Sequence, residues 1–451
     1  MVLVVMGFFA GLSGLSVFRP GLCFTLILLM HPLEQVMQAH WAWLRTAGLG
    51  SQFVNYAVAL TGAACVINCR LRGRIDFRHW GSRTMLATLA LYLWSIVTLL
   101  WSPGGESGLE IVVSQLPYFA LFILIAPALV GQIDDLNEAM RSILWVAGIL
   151  CLIIVISPEF TAQLGRIAVD LGGGIRSNSL AIGELGGTLL ITATTMRRGF
   201  LGSWGIAIRI LAVVLGLLVA IKSGARGQFF VSVAVSIAFV PLAAPTRSLA
   251  GFTLTILSIL ILGSLVVTLA QSQLEGFAAK RFSLDQLLFG ASSLGTRQAN
   301  ITALMNAWAS SPTTVVFGLG YNAFVTLSEG FGDPYSHVLF ADALCELGLP
   351  GALLMGLILG TGLSSAAHNI RSNINTPELR ATCACAAALI AFQVFLVNKQ
   401  GSLWGMAPLF PLLCIATRLR RRIDDQRFNP LDETSPRGAT GESLDHYSES
   451  L

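Results

Sequence analysis

Residues 204–240 read WGIAIRILAVVLGLLVAIKSGARGQFFVSVAVSIAFV, two apolar runs joined by a short polar link at 222–225. Apolar runs of roughly 17 to 23 residues are what a helix needs to cross a hydrocarbon core of about 30 Å. They recur from end to end, near 52–69, 84–101, 111–131, 140–157, 178–196, 204–221, 226–241, 249–271, 337–362, 380–397 and 402–418. Within the first 37 residues Arg19-Pro20 interrupts the apolar run, leaving a hairpin or one broken span. The expected fold is all-α, a polytopic integral membrane protein with about 12 transmembrane helices. Composition agrees, because 54% apolar and 12% charged residues lie outside the range of a water-soluble chain. The mean hydropathy of +0.73 says the same.

Sidedness follows from the arginines. The short segments CRLRGRIDFRHWGSR at 69–83 and RLRRR at 418–422 belong on the cytoplasmic side, which places the C-terminus inside. Counting spans back from there puts the loops near 158–177, 222–225 and 272–336 outside, together with all three lysines, Lys222, Lys280 and Lys399. The chain then divides into an N-terminal bundle at 1–271, an outer loop at 272–336, C-terminal helices at 337–423 and a polar cytoplasmic tail at 424–451. The tail has almost no apolar periodicity and is expected to be disordered. No cleavable signal peptide is expected, since no Lys or Arg precedes the first apolar run. The eight cysteines sit mostly in apolar segments, and Cys383 and Cys385 lack redox or zinc spacing, so they read as small buried apolar residues. No internal repeat, alternating strand pattern or phosphate-binding Gly motif is present, which argues against an ATP-driven pump.

The outer segments carry the chemistry. Arg226 opens a span between Gly224 and Gly227, which let backbone approach a ligand closely. Arg176 stands two residues before an apolar run that begins with Asn178 and Ser179. Arginine forks and helix N-termini both suit phosphate oxygens, so these positions read as an anion cradle or as arginines held by lipid headgroups. In TRQANITALMNAWASSP, residues Ile301, Leu304, Met305 and Trp308 form one helical stripe, expected to lie along the membrane surface with Trp308 at headgroup level. Arg297 lies four residues before Ile301 on that stripe, facing an anion or snorkelling to lipid phosphate.

Lys399 ends a span on the same side and adds a fourth cation. His337 follows Pro334 and Ser336 and begins an apolar segment, as a proton-handling residue or a simple helix cap. Asp342 and Glu346, four apart, would point away from His337 on a straight helix and pair with other helices. Glu184 is an intramembrane acid in GELGG, with either a functional role or a structural partner.

These pieces together resemble the membrane-bound O-antigen ligase and polymerase family over roughly residues 170 to 365. The matching elements are Arg226-Gly227 at a span start, Arg297 before an amphipathic stretch, and Gly318, Gly320 and Phe324. His337 and the turn Glu346 to Gly351, reading ELGLPG, complete the set, and the last is the most specific. Two positions depart from the pattern, Val338 where Asn is frequent after the histidine and Ala225 where Ser is frequent before Arg-Gly.

The resemblance implies an enzyme of the bacterial inner membrane with its active face periplasmic. Such an enzyme moves a glycan from a polyprenyl-diphosphate carrier to an acceptor hydroxyl on lipid A core, another glycan or a protein, within membrane lipid and without nucleic acid. It implies Arg226 and Arg297 on the diphosphate, where the residue reading adds Arg176 and Lys399, and His337 serving the acceptor. No cofactor is implied, and no outer-face cluster of acids has metal-ligand spacing. The other readings are a repeat-unit polymerase of the same family, a transporter or flippase using GELGG as a broken helix, and a non-catalytic scaffold of an envelope complex.

Overall fold

The computed structural model describes residues 2–46, 49–75, 81–163, 166–168, 170–172, 175–176, 178–196, 204–244, 292–327, 336, 338–400, 403–405 and 408–428, with isolated positions between 253 and 268. Of the described residues at 49, 161–176, 292–297, 400 and 426–428 only the backbone is described. The first half comprises α1 (Val2–Ser16), α2 (Pro20–Leu28), α3 (Met30–His40), α4 (Leu49–Leu71), α5 (Arg83–Thr98), α6 (Gly105–Phe119), α7 (Ala126–Leu129), α8 (Ile133–Ile156), α9 (Ser179–Thr195), α10 (Gly205–Lys222) and α11 (Arg226–Ala243). The second comprises α12 (Ser292–Trp308), α13 (Pro312–Phe317), α14 (Phe324–Leu327), α15 (Leu339–Cys345), α16 (Gly348–Ser372), α17 (Pro377–Gln400) and α18 (Leu409–Phe428).

The fold is an all-α polytopic membrane bundle. Among the described residues seven helices are long and apolar enough to cross a membrane, or eight if the bent pair α2–α3 is one span. The expected twelve are therefore not all reached by length and composition, and the span expected at 249–271 lies almost wholly outside the described residues. Two short antiparallel ribbons, Thr161–Gln163 with Arg166–Ala168 and Asp170–Gly172 with Ile175–Arg176, were not expected from the sequence. They are too short to show an alternating pattern.

Prolines set the breaks. Arg19-Pro20 separates α1 from α2, with Pro20 in the first turn where its missing N–H costs nothing. Pro32 bends α2 from α3 by 68°, because its ring occupies the space next to the Leu28 carbonyl, the residue at which α2 ends. Pro117 inside α6 is followed by a π-helical segment, Ala120–Ile125, which reaccommodates the ladder before α7.

The apolar faces point out and the hydroxyls point in. Leu60, Leu93, Leu100 and Leu353 are each more than 60% exposed, as lipid-facing residues are. On α5 the buried Thr84, Ser95 and Thr98 line one face. Thr84 Oγ1 lies 2.7 Å from Thr361 Oγ1 of α16 and 2.7 Å from Thr417 Oγ1 of α18. Ser95 Oγ accepts from Trp404 Nε1 at 3.1 Å. Such interhelical hydroxyl bonds replace the hydrophobic force that lipid cannot supply.

The glycines of GELGG are packing positions in an unbroken helix, which removes the broken-helix expectation. A Cβ on Gly186 would lie 2.6 Å from Ala220 N of α10, and one on Gly187 would lie 2.6 Å from the Phe392 ring of α17. Backbones approach this closely only where side chains are absent.

Four arginines close helix C-termini by donating to their last carbonyls, a role the charge pattern alone did not show. Arg45 serves Gln38 O at 2.7 Å, Arg209 serves Ala193 O at 2.8 Å, and Arg380 serves Leu242 O at 2.7 Å. Arg418, only 3% exposed, donates to Pro127 O at 2.7 Å and Ala128 O at 3.1 Å. Arg418→Met keeps the stem and leaves both carbonyls without this donor. The expected loss is about 2–3 kcal/mol, seen as a lower unfolding temperature in detergent, while Arg421→Met, with one 3.3 Å bond to Gly81 O, changes it little.

Two expected spans begin later than hydropathy suggested. The run from 337 is split into α15 and α16 at Glu346-Leu347, where Gly348 takes φ +67°. The run from 402 becomes helical only at Leu409 and continues to Phe428, carrying the arginine run and the first residues of the expected tail within α18.

Candidate functional site

One end of the bundle collects the turn at 223–225, the loop at 318–324, the turn at 345–348 and the ends of α17 and α3, opposite the arginine-rich end of α18. There α11 begins. Gly224 takes φ +67°, and Ser223 Oγ accepts from Ala225 N at 3.1 Å, so the chain turns sharply into α11 with Arg226 as its first residue. Lys399 Nζ donates to the buried Gln228 carboxamide at 3.1 Å. Its chain lies directly across Gly227, so that a Cβ there would run into the lysine stem. Of the four expected cations, Arg226 opens this helix N-terminus and Lys399 reaches it. Gln228, which the sequence reading did not single out, orients the second of them.

Arg176 lies in the ribbon paired with Asp170, two residues before Asn178. Asn178 Oδ1 caps α9 by accepting from Leu180 N at 3.0 Å. Arg297 lies on α12, one turn before Ile301. The side chains of Arg176 and Arg297, and His337 itself, lie outside the described residues. The stripe of α12 does not lie free on the membrane surface. Leu304 is fully buried with Phe324 and Cys345, and Met305 and Trp308 pack around them. Trp308 Nε1 donates to Val315 O at 3.3 Å.

The flanks of His337 are fixed. Ser336 is fully buried, its hydroxyl donates to the Asp342 carboxylate, and it accepts from Val338 N at 3.1 Å. Asp342 was expected to point away from His337. Val338 is extended (φ −132°, ψ 96°) and the helix starts only at Leu339, so the straight helix through 337 on which that expectation rested does not reach back past Leu339, while His337 itself lies outside the described residues.

Glu346 does parallel work one turn later. Its carboxylate accepts from Asn322 N at 3.1 Å and Phe324 N at 3.0 Å. Its carbonyl accepts from Gly320 N at 2.8 Å, and the Cys345 carbonyl from Leu319 N at 2.9 Å. Gly318 and Gly320 take φ +82° and +95°, and neither has room for a Cβ, against Glu346 and Ser102 respectively. Thr98 Oγ1 and Ser102 Oγ hold Tyr321 from the other side, at 3.0 and 2.7 Å. The Gly-x-Gly segment and the ELGLPG turn are therefore one clamped unit.

Asp342 and Glu346 precede the span that starts at Gly348. Burial, then the neighbouring Glu346 charge, holds the Asp342 carboxyl well above the usual range, against the Ser336 hydrogen bond. Burial pushes Glu346 from 4.5 up to about 7, against its two backbone donors. A carboxyl whose folded pKa is raised binds its proton more tightly in the folded state. The stability is complete below the unfolded value near 4.5 and is lost as pH rises through about 7. Unfolding temperature is therefore expected to fall from pH 5 to pH 8, and Asp342→Asn, which keeps the acceptor for Ser336, to flatten that fall. An unchanged slope in the variant would exclude Asp342 as its cause.

Glu184 accepts from Gln393 Nε2 at 2.5 Å and keeps part of its surface open to a cavity of about 440 Å³ between α2–α3, α9, α17 and the start of α18. All eight cysteines are free and buried, as small apolar residues.

No protein-family model matches the chain, and no match is found among curated proteins. A solved structure on the structural coordination of polymerization and crosslinking by a peptidoglycan synthase complex contains a similar chain, with TM-score 0.42 and 17% identity, covering 79% of this chain and 99% of that one.

Proposed function

We propose that the protein is a glycosyltransferase that moves a glycan from a polyprenyl-diphosphate carrier to an acceptor hydroxyl, on the periplasmic face of a bacterial inner membrane with its C-terminus in the cytoplasm. The observation that carries this reading is the corner where Arg226 opens α11 and Lys399 lies across Gly227. As the anomeric C–O bond to the diphosphate breaks, its electron pair stays on the leaving group. Fixed cations at a helix N-terminus stabilise that charge more than they stabilise the intact donor. The acceptor oxygen forms the new bond at the anomeric carbon and gives its proton to His337, which returns it to solvent. Arg176 and Arg297 complete the cradle in this reading, and Asp342 and Ser336 position His337 through its neighbours.

The same corner serves a ligase, with lipid A core, another glycan or a protein as acceptor, and a repeat-unit polymerase. The transporter reading loses the feature that suggested it, since α9 is continuous through GELGG. Release of polyprenyl diphosphate from a polyprenyl-diphosphate-linked oligosaccharide, by purified protein in lipid with and without lipid A core, separates these cases. Release that needs the core marks a ligase onto lipid A, and growth of the glycan on donor alone marks a polymerase. Uptake of the labelled donor into vesicles without any covalent product would overturn the enzyme reading.

A further inference from the structure

The cavity beside Glu184 has a lining unlike that of an anion site. It carries the carboxylates Glu34 and Glu184, the amides Gln35, Gln38 and Gln393, and His31, with no lysine or arginine among its described lining residues. Phosphate would be repelled there. Amides that each donate and accept, beside carboxylates that only accept, are instead the complement of a hydroxyl-rich neutral ligand. Some of this capacity is already used inside the protein. Gln38 Nε2 donates to Glu34 Oε1 at 3.1 Å, His31 Nδ1 lies 3.8 Å from Glu34 Oε2, and Gln35 Nε2 donates to Asn178 O at 3.0 Å. Gln35 Oε1, however, is buried without a hydrogen-bond partner, on a residue only 7% exposed. An acceptor left unfilled on a residue that lines the cavity is hydrogen-bonding capacity that the fold itself does not use.

The cavity also adjoins the cation corner. Gln393 and Val397 of α17 line it, and Lys399 follows on the same helix, about 9 Å beyond Gln393 at 1.5 Å per residue. On α9, Glu184 lines it while the preceding Gly183 packs on Ser223 and Ala225, next to Arg226. Its volume, about 440 Å³, lies within the range of cavities that enclose small ligands.

We propose that this cavity is a sugar subsite, in which Gln35, Gln393 and Glu184 bind the hydroxyls of the sugar next to the diphosphate while Arg226 and Lys399 hold the diphosphate. The inference rests on the glycosyltransferase reading above. Its test compares binding of two lipids to the full-length protein in nanodiscs, bare undecaprenyl diphosphate and the undecaprenyl-diphosphate-linked glycan isolated from the source membranes. Wild type is expected to bind the glycan-bearing lipid at least tenfold tighter. Gln35→Met and Gln393→Met are expected to reduce that difference to less than threefold while leaving the affinity for the bare carrier unchanged.

Equal affinities in wild type overturn the subsite and leave the carrier site standing. The wild-type comparison decides this even if a variant fails to accumulate. Variants that weaken both lipids alike also overturn it, as a general packing effect. Wild type that binds neither lipid overturns the transferase reading itself, and the subsite falls with it.

Discussion

His337→Ala is expected to lower glycan transfer by about 10²- to 10⁴-fold, the contribution of a positioned general base, with donor affinity and unfolding temperature unchanged. The separation of effects follows from what holds this part of the chain. Ser336 is anchored to Asp342 and Val338 to Ser336, so the backbone on both sides of the histidine keeps its bonds when the imidazole is removed. In the proposed reading the diphosphate is bound elsewhere, at the start of α11. Initial rates at saturating donor and acceptor, with donor binding measured on the same preparation, test this. Wild-type rates in the variant would remove His337 from the reaction, and a matching loss of donor binding would move it to the diphosphate.

Much of the bundle was legible because membrane spans declare themselves by length and polarity, and α4, α10 and α11 occupy the runs where hydropathy placed them. The Arg19-Pro20 interruption was legible for the same kind of reason, since proline acts on its own chain. Less legible was everything decided by a partner far along the sequence. Pro32 was there to be read as a break but lay within an apolar run that looked continuous. Arg418 belonged to a cytoplasmic arginine run, and only the fold shows it buried against the end of α7.

The candidate site shows the same division. The residue types were visible, and Lys399 reaches the turn that Arg226 opens. The phase relation of Asp342 to His337 was read from a helix starting at 337, whereas the described helix starts at Leu339. Glu346 and the Gly-x-Gly segment were read as separate marks. Their connection needs a carboxylate reaching backbone N–H groups more than twenty residues away, and no periodicity encodes that.

Glu346→Ala is expected to be the most damaging single change at this end of the molecule. It strands the N–H groups of Asn322 and Phe324, both buried residues, with no acceptor, at about 1–3 kcal/mol for each. It also opens a void under a segment whose Gly318 and Gly320 hold left-handed backbone against Glu346 and Ser102, so the segment has no relaxed alternative close by. Unfolding temperature and transfer should therefore fall together, in contrast to His337→Ala. Glu346→Gln tests whether the charge or the acceptors matter. It retains one carbonyl oxygen but turns an NH₂ toward a backbone donor, so it should fall between wild type and Ala in stability. A Gln variant as stable as wild type would mean that one acceptor suffices and that the carboxylate is kept for another reason. An Ala variant that unfolds normally yet fails to transfer would place Glu346 in the chemistry instead of the clamp.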